Sequence, residues 1–131
     1  MRIGYTSGVF DLFHFGHENY LTECKRFCDY LIVAVDSDSR VKKIKGVQRP
    51  IESEVIRLGN VSHLSDKCFI KKKASIEYIK CHKPDFIFIP DNKNAVINKS
   101  ISATTIVIPY TYSISTTMAI ESLKNLENNS Q

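Results

Sequence analysis

The sequence predicts an α/β domain built on a doubly wound parallel sheet of about five strands, and three observations carry that expectation. The apolar runs are short, near-continuous and rich in β-branched residues, as strands covered on both faces must be. Segments with helical spacing separate them, and strands that alternate with helices call for a parallel sheet joined by right-handed crossovers. Neither a repeat nor a linker divides the 131 residues, enough for one domain that buries roughly two-thirds of its unfolded surface.

The first strand is read at Arg2-Ile3-Gly4-Tyr5-Thr6-Ser7. A helix follows from Gly16 to Phe27, where Tyr20, Leu21, Cys24 and Phe27 or Cys28 fall on one face. Tyr30-Leu31-Ile32-Val33-Ala34-Val35 is the second strand. Cys68-Phe69-Ile70, Phe86-Ile87-Phe88-Ile89 and Thr105-Ile106-Val107-Ile108 supply the rest. Further helices are expected over Glu52 to Leu64, Ser75 to His82 and Ser115 to Leu126. The domain is set at residues 1–126, with 127–131 as a fraying polar tail.

Composition narrows the class. A hydrophobic share of 43% suits a packed core. No apolar run reaches the ~20 residues of a membrane span, and Met1-Arg2-Ile3-Gly4 leads directly into a strand, so no membrane association and a cytoplasmic location are expected. Cys24 and Cys28 stack on one helix face, and neither Cys68 nor Cys81 completes a metal-ligand spacing; reduced core thiols are the better reading. The net charge of +4 comes mostly from Lys42, Lys43, Lys45 and the run Lys71-Lys72-Lys73, the last read as a solvated cluster at a strand end. No aromatic residues interleave with these lysines, which argues for a nucleoside triphosphate as the anionic partner and against nucleic acid.

In doubly wound sheets ligands bind beyond the carboxyl ends of the strands. Asp11, His14 and His17 follow strand one, Asp36 and Asp38 follow strand two, and Asp91 follows strand four, so all converge on one rim. His14-Phe15-Gly16-His17 lies where strand gives way to helix. Gly16 admits close backbone approach, the helix start presents unpaired N–H groups, and the two imidazoles are donors suited to phosphate oxygens.

Gly8-Val9-Phe10-Asp11-Leu12-Phe13-His14-Phe15-Gly16-His17 resembles the first signature of the cytidylyltransferase-like nucleotidyltransferases, and Ile114-Ser115-Thr116-Thr117 resembles their last. Lys45-Gly46 and Arg49-Pro50 resemble the intervening segment after the second strand. By size and ordering the chain is most similar to the glycerol-3-phosphate cytidylyltransferases. The resemblance implies a Rossmann-like fold, a homodimer, and transfer of CMP from CTP to a small phosphorylated alcohol with release of pyrophosphate.

It assigns His14, His17 and Lys45 to catalysis, and Gly8, Val9, Phe10, Asp11, Gly16, Asp91, Ile114, Ser115, Thr116 and Thr117, with those three, to the nucleotide. Asp38, Lys43 and His63 are the candidates for the acceptor. Lys43 and Lys45 are expected in a flexible loop able to close over phosphates. Asp11 and Asp38 stand open between orienting a donor, touching a metal indirectly and capping a turn. Mg²⁺ is the expected cofactor, held mainly by nucleotide phosphates, with no protein metal site required.

The chain departs from the pattern in places. Tyr110 stands where the glycerol-3-phosphate enzymes have an arginine, and a phenol cannot supply a guanidinium's phosphate contact. Ile89-Pro90-Asp91 replaces a glycine-containing segment, and Pro90 lacks an N–H. The helix around Glu54 and Arg57 is shorter than its counterpart, and His63 occupies the place of an acceptor-binding arginine. Lys45-Gly46 and Arg49-Pro50-Ile51 also resemble the heptose-1-phosphate adenylyltransferases, so ATP with a sugar phosphate is the alternative. A weakened nucleotide-binding subunit is the reading from another class.

Overall fold

The computed structural model describes residues 1–91 and 102–110. The elements run β1 (Ile3–Gly8), α1 (Phe15–Phe27), β2 (Tyr30–Asp36), α2 (Asp38–Lys45), α3 (Glu54–Ser62), β3 (Lys67–Lys71), α4 (Ser75–His82), β4 (Phe86–Pro90) and β5 (Thr104–Ile108). The expected helix over 115–126 and the polar tail lie outside the described residues.

All strand pairings are parallel, in the order β3-β2-β1-β4-β5. The chain therefore builds outward from β1 to β3, then returns to lay β4 against the other side of β1. In doubly wound sheets such a reversal sets the ligand crevice at the carboxyl ends of the two strands, here β1 and β4. The register carries Gly4 opposite Leu31 on one side and Phe86 on the other, so β1 is central and hydrogen-bonded along both edges.

Alternation along β1 and β2 sorts side chains into two cores. Leu31, Val33 and Val35 pack with Tyr20, Leu21 and Cys24 of α1, Val61 of α3, Phe10, Phe88 and Ile108. Tyr5, Ile32 and Ala34 face the opposite way and cover Ile79 of α4. Helices thus lie on both faces of the sheet, which explains why β2 is buried from Leu31 to Val35 without interruption. Burial carries polar groups with it: the Tyr20 hydroxyl lies 2.9 Å from Thr6 Oγ1, and desolvation raises the Tyr20 phenol and pushes the Cys24 thiol up to about 12. All four cysteines are free thiols, and Cys24, Cys28 and Cys68 pack in or against the core, but Cys81 is exposed and is not the core thiol expected of it.

Two expectations are corrected. The segment holding Lys43 and Lys45 is the last turn of a helix, α2, not a loop. Ser37 caps its start by accepting from Arg40 N, and Gly46 ends it at φ 100, a left-handed value that favours glycine. Lys71 is not solvated: it is 7% exposed, with Nζ 3.5 Å from Asp36 Oδ1 on the neighbouring strand. Lys72 and Lys73 are exposed, as read from the sequence. No helix among the described residues is long and apolar enough to cross a membrane.

Candidate active site

The turn from β1 to α1 sits at the mouth of the crevice, and its backbone is unusual. Phe10 and Leu12 both adopt left-handed conformations, at φ 54 and φ 50, each costing roughly 1–2 kcal/mol for a residue with a Cβ. The first of these folds the Phe10 ring back over Gly8, where a Cβ would stand 3.0 Å from the ring. Such a turn persists only if its surroundings dictate it.

They do so through polar groups drawn from three loops. Asp11 is fully buried; its carboxylate accepts from Ile51 N at 2.7 Å and Glu52 N at 2.9 Å. Glu52 returns the contact, Oε1 accepting from Leu12 N at 2.8 Å. Arg57, on α3 and fully buried, reaches beneath both. Its Nη1 donates to Val9 O at 2.8 Å and Asp36 O at 2.7 Å, Nε to Glu52 O at 3.0 Å, and Nη2 to Asp38 Oδ1 at 2.8 Å. One guanidinium therefore ties the ends of β1 and β2 to the starts of α2 and α3.

The frame presents a histidine pair. His14 is the N-cap of α1, with Nδ1 accepting from Gly16 N at 3.0 Å, and His17 Nδ1 accepts from His14 N at 3.3 Å. The two imidazoles thus form a reciprocal capping box and stack with centroids 4.0 Å apart. Because both Nδ1 atoms accept from amides, each neutral ring carries its proton on Nε2. His14 Nε2 is buried with no hydrogen-bond partner among the described residues. Desolvation lowers the His14 pKa and favours this neutral form.

Aromatic groups enclose His17: Phe13 stacks at 5.4 Å, Phe10 meets it edge-on at 5.6 Å, and Tyr110 does so at 6.3 Å. Tyr110 therefore occupies the crevice, as its place before the Ser-Thr-Thr signature implies. Burial pushes its phenol up to about 12. The Tyr110 amide donates to Asp91 Oδ1 at 3.0 Å, which joins the ends of β4 and β5.

The candidates read from the sequence thus separate into groups. Gly8, Val9, Phe10, His14, Gly16 and His17 gather at the turn, and Asp91 lies across the crevice. Asp11 and Asp38 also reach the rim, but as partners of backbone amides and Arg57. The Asp11 carboxylate holds the segment before α3 through two amides, and that of Asp38 holds the Arg57 donor. Lys43 and Lys45 sit on the exposed end of α2, and His63 caps the end of α3 with its ring edge-on to Phe13 at 6.5 Å. Ile114, Ser115, Thr116 and Thr117 lie outside the described residues. No three His, Cys, Asp or Glu side chains gather as a metal site among the described residues. The hub that sequence reading left unassigned is Arg57; its partners are scattered over the chain and only the fold unites them.

A parallel sheet whose first strand delivers two imidazoles and a helix N-terminus to the switch point is an arrangement suited to an anionic ligand. A family model described as cytidylyltransferase-like matches residues 5–122, and the chain belongs to that family of nucleotidyltransferases. The bifunctional protein HldE of Helicobacter pylori (strain P12) is 33% identical over 132 residues, covering 97% of this chain and 29% of its own length. The HldE protein of Campylobacter jejuni subsp. doylei is 35% identical over 129 residues, covering 95% and 28%. The chain thus spans less than a third of these relatives. A lipopolysaccharide core biosynthesis protein from Thermoplasma volcanium superposes with a TM-score of 0.74 at 25% identity, over 85% of this chain and 98% of that one. Pantoate-β-alanine ligase from Francisella tularensis shares the fold, with a TM-score of 0.55 at 13% identity over 82% of this chain and 59% of its own.

Two outcomes follow from this geometry. Arg57→Met leaves three carbonyls and the Asp38 carboxylate without their donor, and urea denaturation should show a loss of about 3–5 kcal/mol; Asp38→Asn, which keeps an acceptor at a half-exposed position, should cost about 1 kcal/mol or less. The second concerns pH. With the folded His14 pKa below its ordinary 6.5, the unfolded chain binds more protons in the window between the two values, so stability falls as pH drops through it. Thermal unfolding between pH 8 and pH 5 should show a shallower acid loss in His14→Asn, which retains a capping acceptor, than in the unmodified protein.

Proposed function

We propose that the rim catalyses nucleotidyl transfer: a phosphate oxygen of a small acceptor bonds to the α-phosphorus of a nucleoside triphosphate. The bond from that phosphorus to the oxygen bridging to the β-phosphate breaks, and its electron pair leaves with pyrophosphate. The observation that carries this reading is the pair of neutral imidazoles on the first turn of α1, with Nε2–H groups as donors and a helix N-terminus behind them. Such a reaction needs alignment and charge neutralisation more than covalent help. Preformed donors aimed at the phosphate oxygens supply both, since they need no reorganisation when charge develops. Lys45, with Ser115, Thr116 and Thr117 by resemblance, adds further donors.

ATP with a sugar phosphate is the pairing we place first. The HldE relatives and the segment Lys45-Gly46 to Arg49-Pro50-Ile51 support it, as does the likeness to a lipopolysaccharide core biosynthesis protein. CTP with a polyol phosphate such as glycerol 3-phosphate is the second reading, supported by the ten-residue signature from Gly8 to His17. Asp38, Lys43 and His63 remain our assignments for the acceptor side, with Asp38 acting from its pairing with Arg57.

Mg²⁺ fits this site only as a companion of the substrate. Asp11 has both carboxylate oxygens engaged by amides, so phosphate oxygens would hold the ion, which when bound would screen the triphosphate's charge. For assembly we propose a homodimer. The stretch from Ile44 to Ile56 exposes Ile44, Val47, Ile51, Val55 and Ile56, large apolar side chains that a second copy would cover.

A pyrophosphate-release screen of ATP and CTP against sugar and polyol phosphates tests the proposal. Turnover is expected with one nucleotide, and His14→Ala and His17→Ala should each reduce it on the order of 10²-fold or more. Near-normal rates in both variants, or no turnover with any pairing, would contradict it.

A further inference from the structure

Among the described residues, the buried side-chain nitrogens and oxygens without a hydrogen-bond partner are His14 Nε2 and, on Arg49, Nε and Nη2. Both residues border the turn between β1 and α1. His14 closes it, and Arg49 lies against its Asp11, with Nε 3.7 Å from Oδ2. That distance makes an ion pair but not a hydrogen bond. Asp11, whose oxygens also accept from Ile51 N and Glu52 N, holds the guanidinium by charge without hydrogen-bonding it.

Arg57 shows by contrast how this fold treats a structural arginine. Fully buried, it donates from Nε, Nη1 and Nη2 to three carbonyls and a carboxylate. Arg49 has a side chain only 16% exposed, yet it keeps two nitrogens unmatched. A buried donor without an acceptor has given up its hydration for nothing, and folds seldom keep one unless a ligand completes it. The chemistry of the unmatched pair is specific. Nε–H and Nη2–H lie side by side on one edge of the guanidinium plane, a two-pronged donor matched to two oxygens of one phosphate.

We propose that Arg49 is a phosphate-binding residue of the nucleotide site, its Nε and Nη2 edge gripping the pyrophosphate moiety of the triphosphate. It brings a guanidinium to the rim from the segment between α2 and α3. That restores a charge which the resemblance locates at the position of Tyr110, where this chain has none. The identity of the anion rests on the nucleotidyltransferase reading; the unmatched edge does not.

The test is calorimetric titration with inorganic pyrophosphate, with thermal unfolding in parallel, for the unmodified protein, Arg49→Gln and Arg49→Lys. Arg49→Gln should weaken pyrophosphate binding on the order of 10- to 100-fold with little change in the unfolding temperature, since the Nε and Nη2 groups have no hydrogen bond to lose and Asp11 keeps its two amide donors. Arg49→Lys, which keeps the charge and loses the fork, should fall between. If Arg49→Gln does not fold, weakened binding in a stably folded Arg49→Lys supports the proposal. Pyrophosphate affinity within two-fold of the unmodified protein in the folded variants would overturn it, as would no pyrophosphate binding by the unmodified protein. Nucleotide turnover reports separately on the enzymatic reading. Turnover with Arg49-independent affinity removes Arg49 alone, whereas Arg49-dependent pyrophosphate binding without turnover removes the enzyme and leaves the anion site.

Discussion

The rim of this sheet depends on a buried guanidinium whose donors are taken up within the protein. Arg57 meets carbonyls at the ends of β1 and β2, a carbonyl before α3 and a carboxylate at the start of α2. Buried carbonyls and charges are costly when alone, and here each offsets the other. Loops that would otherwise move independently become one frame. That frame holds Phe10 and Leu12 in left-handed conformations, and those conformations set the course of the chain into His14.

This arrangement gives the acidic residues of the rim a role different from the usual one in phosphoryl chemistry. Asp11, Glu52 and Asp38 receive hydrogen bonds from amides and from Arg57, so these three carboxylates hold the frame. The imidazoles gain their direction in the same way, since each Nδ1 accepts from a backbone amide at the start of α1 and the proton of each neutral ring therefore sits on Nε2. The capping of α1 and the presentation of donors are one structural act.

Much of this was legible in the sequence. The five strands and their alternation with helices follow from β-branched runs, and α1 and α4 from apolar residues at helical spacing. Helix α2 was missed because Val41 is its only buried residue, so there was no apolar stripe to see. Its end signals were present in Ser37, Gly46 and the lysines of the last turn. Lys71 read as solvated because the pairing that buries it joins two strands, and a strand-end lysine carries no mark of its partner Asp36. The histidine pair was legible as a local motif. The clamp was not, because Val9, Asp36, Asp38, Glu52 and Arg57 meet only when the crossovers have brought the strand ends together. Arg49 was legible only as part of the Arg49-Pro50 resemblance, because nothing local in the sequence marks its burial against Asp11.

In the proposed reaction the folded rim offers His14 and His17 to a triphosphate as neutral Nε2–H donors. Nitrogen-15 imidazole spectra of the protein, recorded at pH 7 during titration with a non-hydrolysable nucleoside triphosphate, test it most directly. Both rings should show the Nε2–H tautomer before ligand is added, and both Nε2 signals should shift with the triphosphate and not with the nucleoside alone. Nδ1–H tautomers, or Nε2 signals that ignore the triphosphate, would contradict the account.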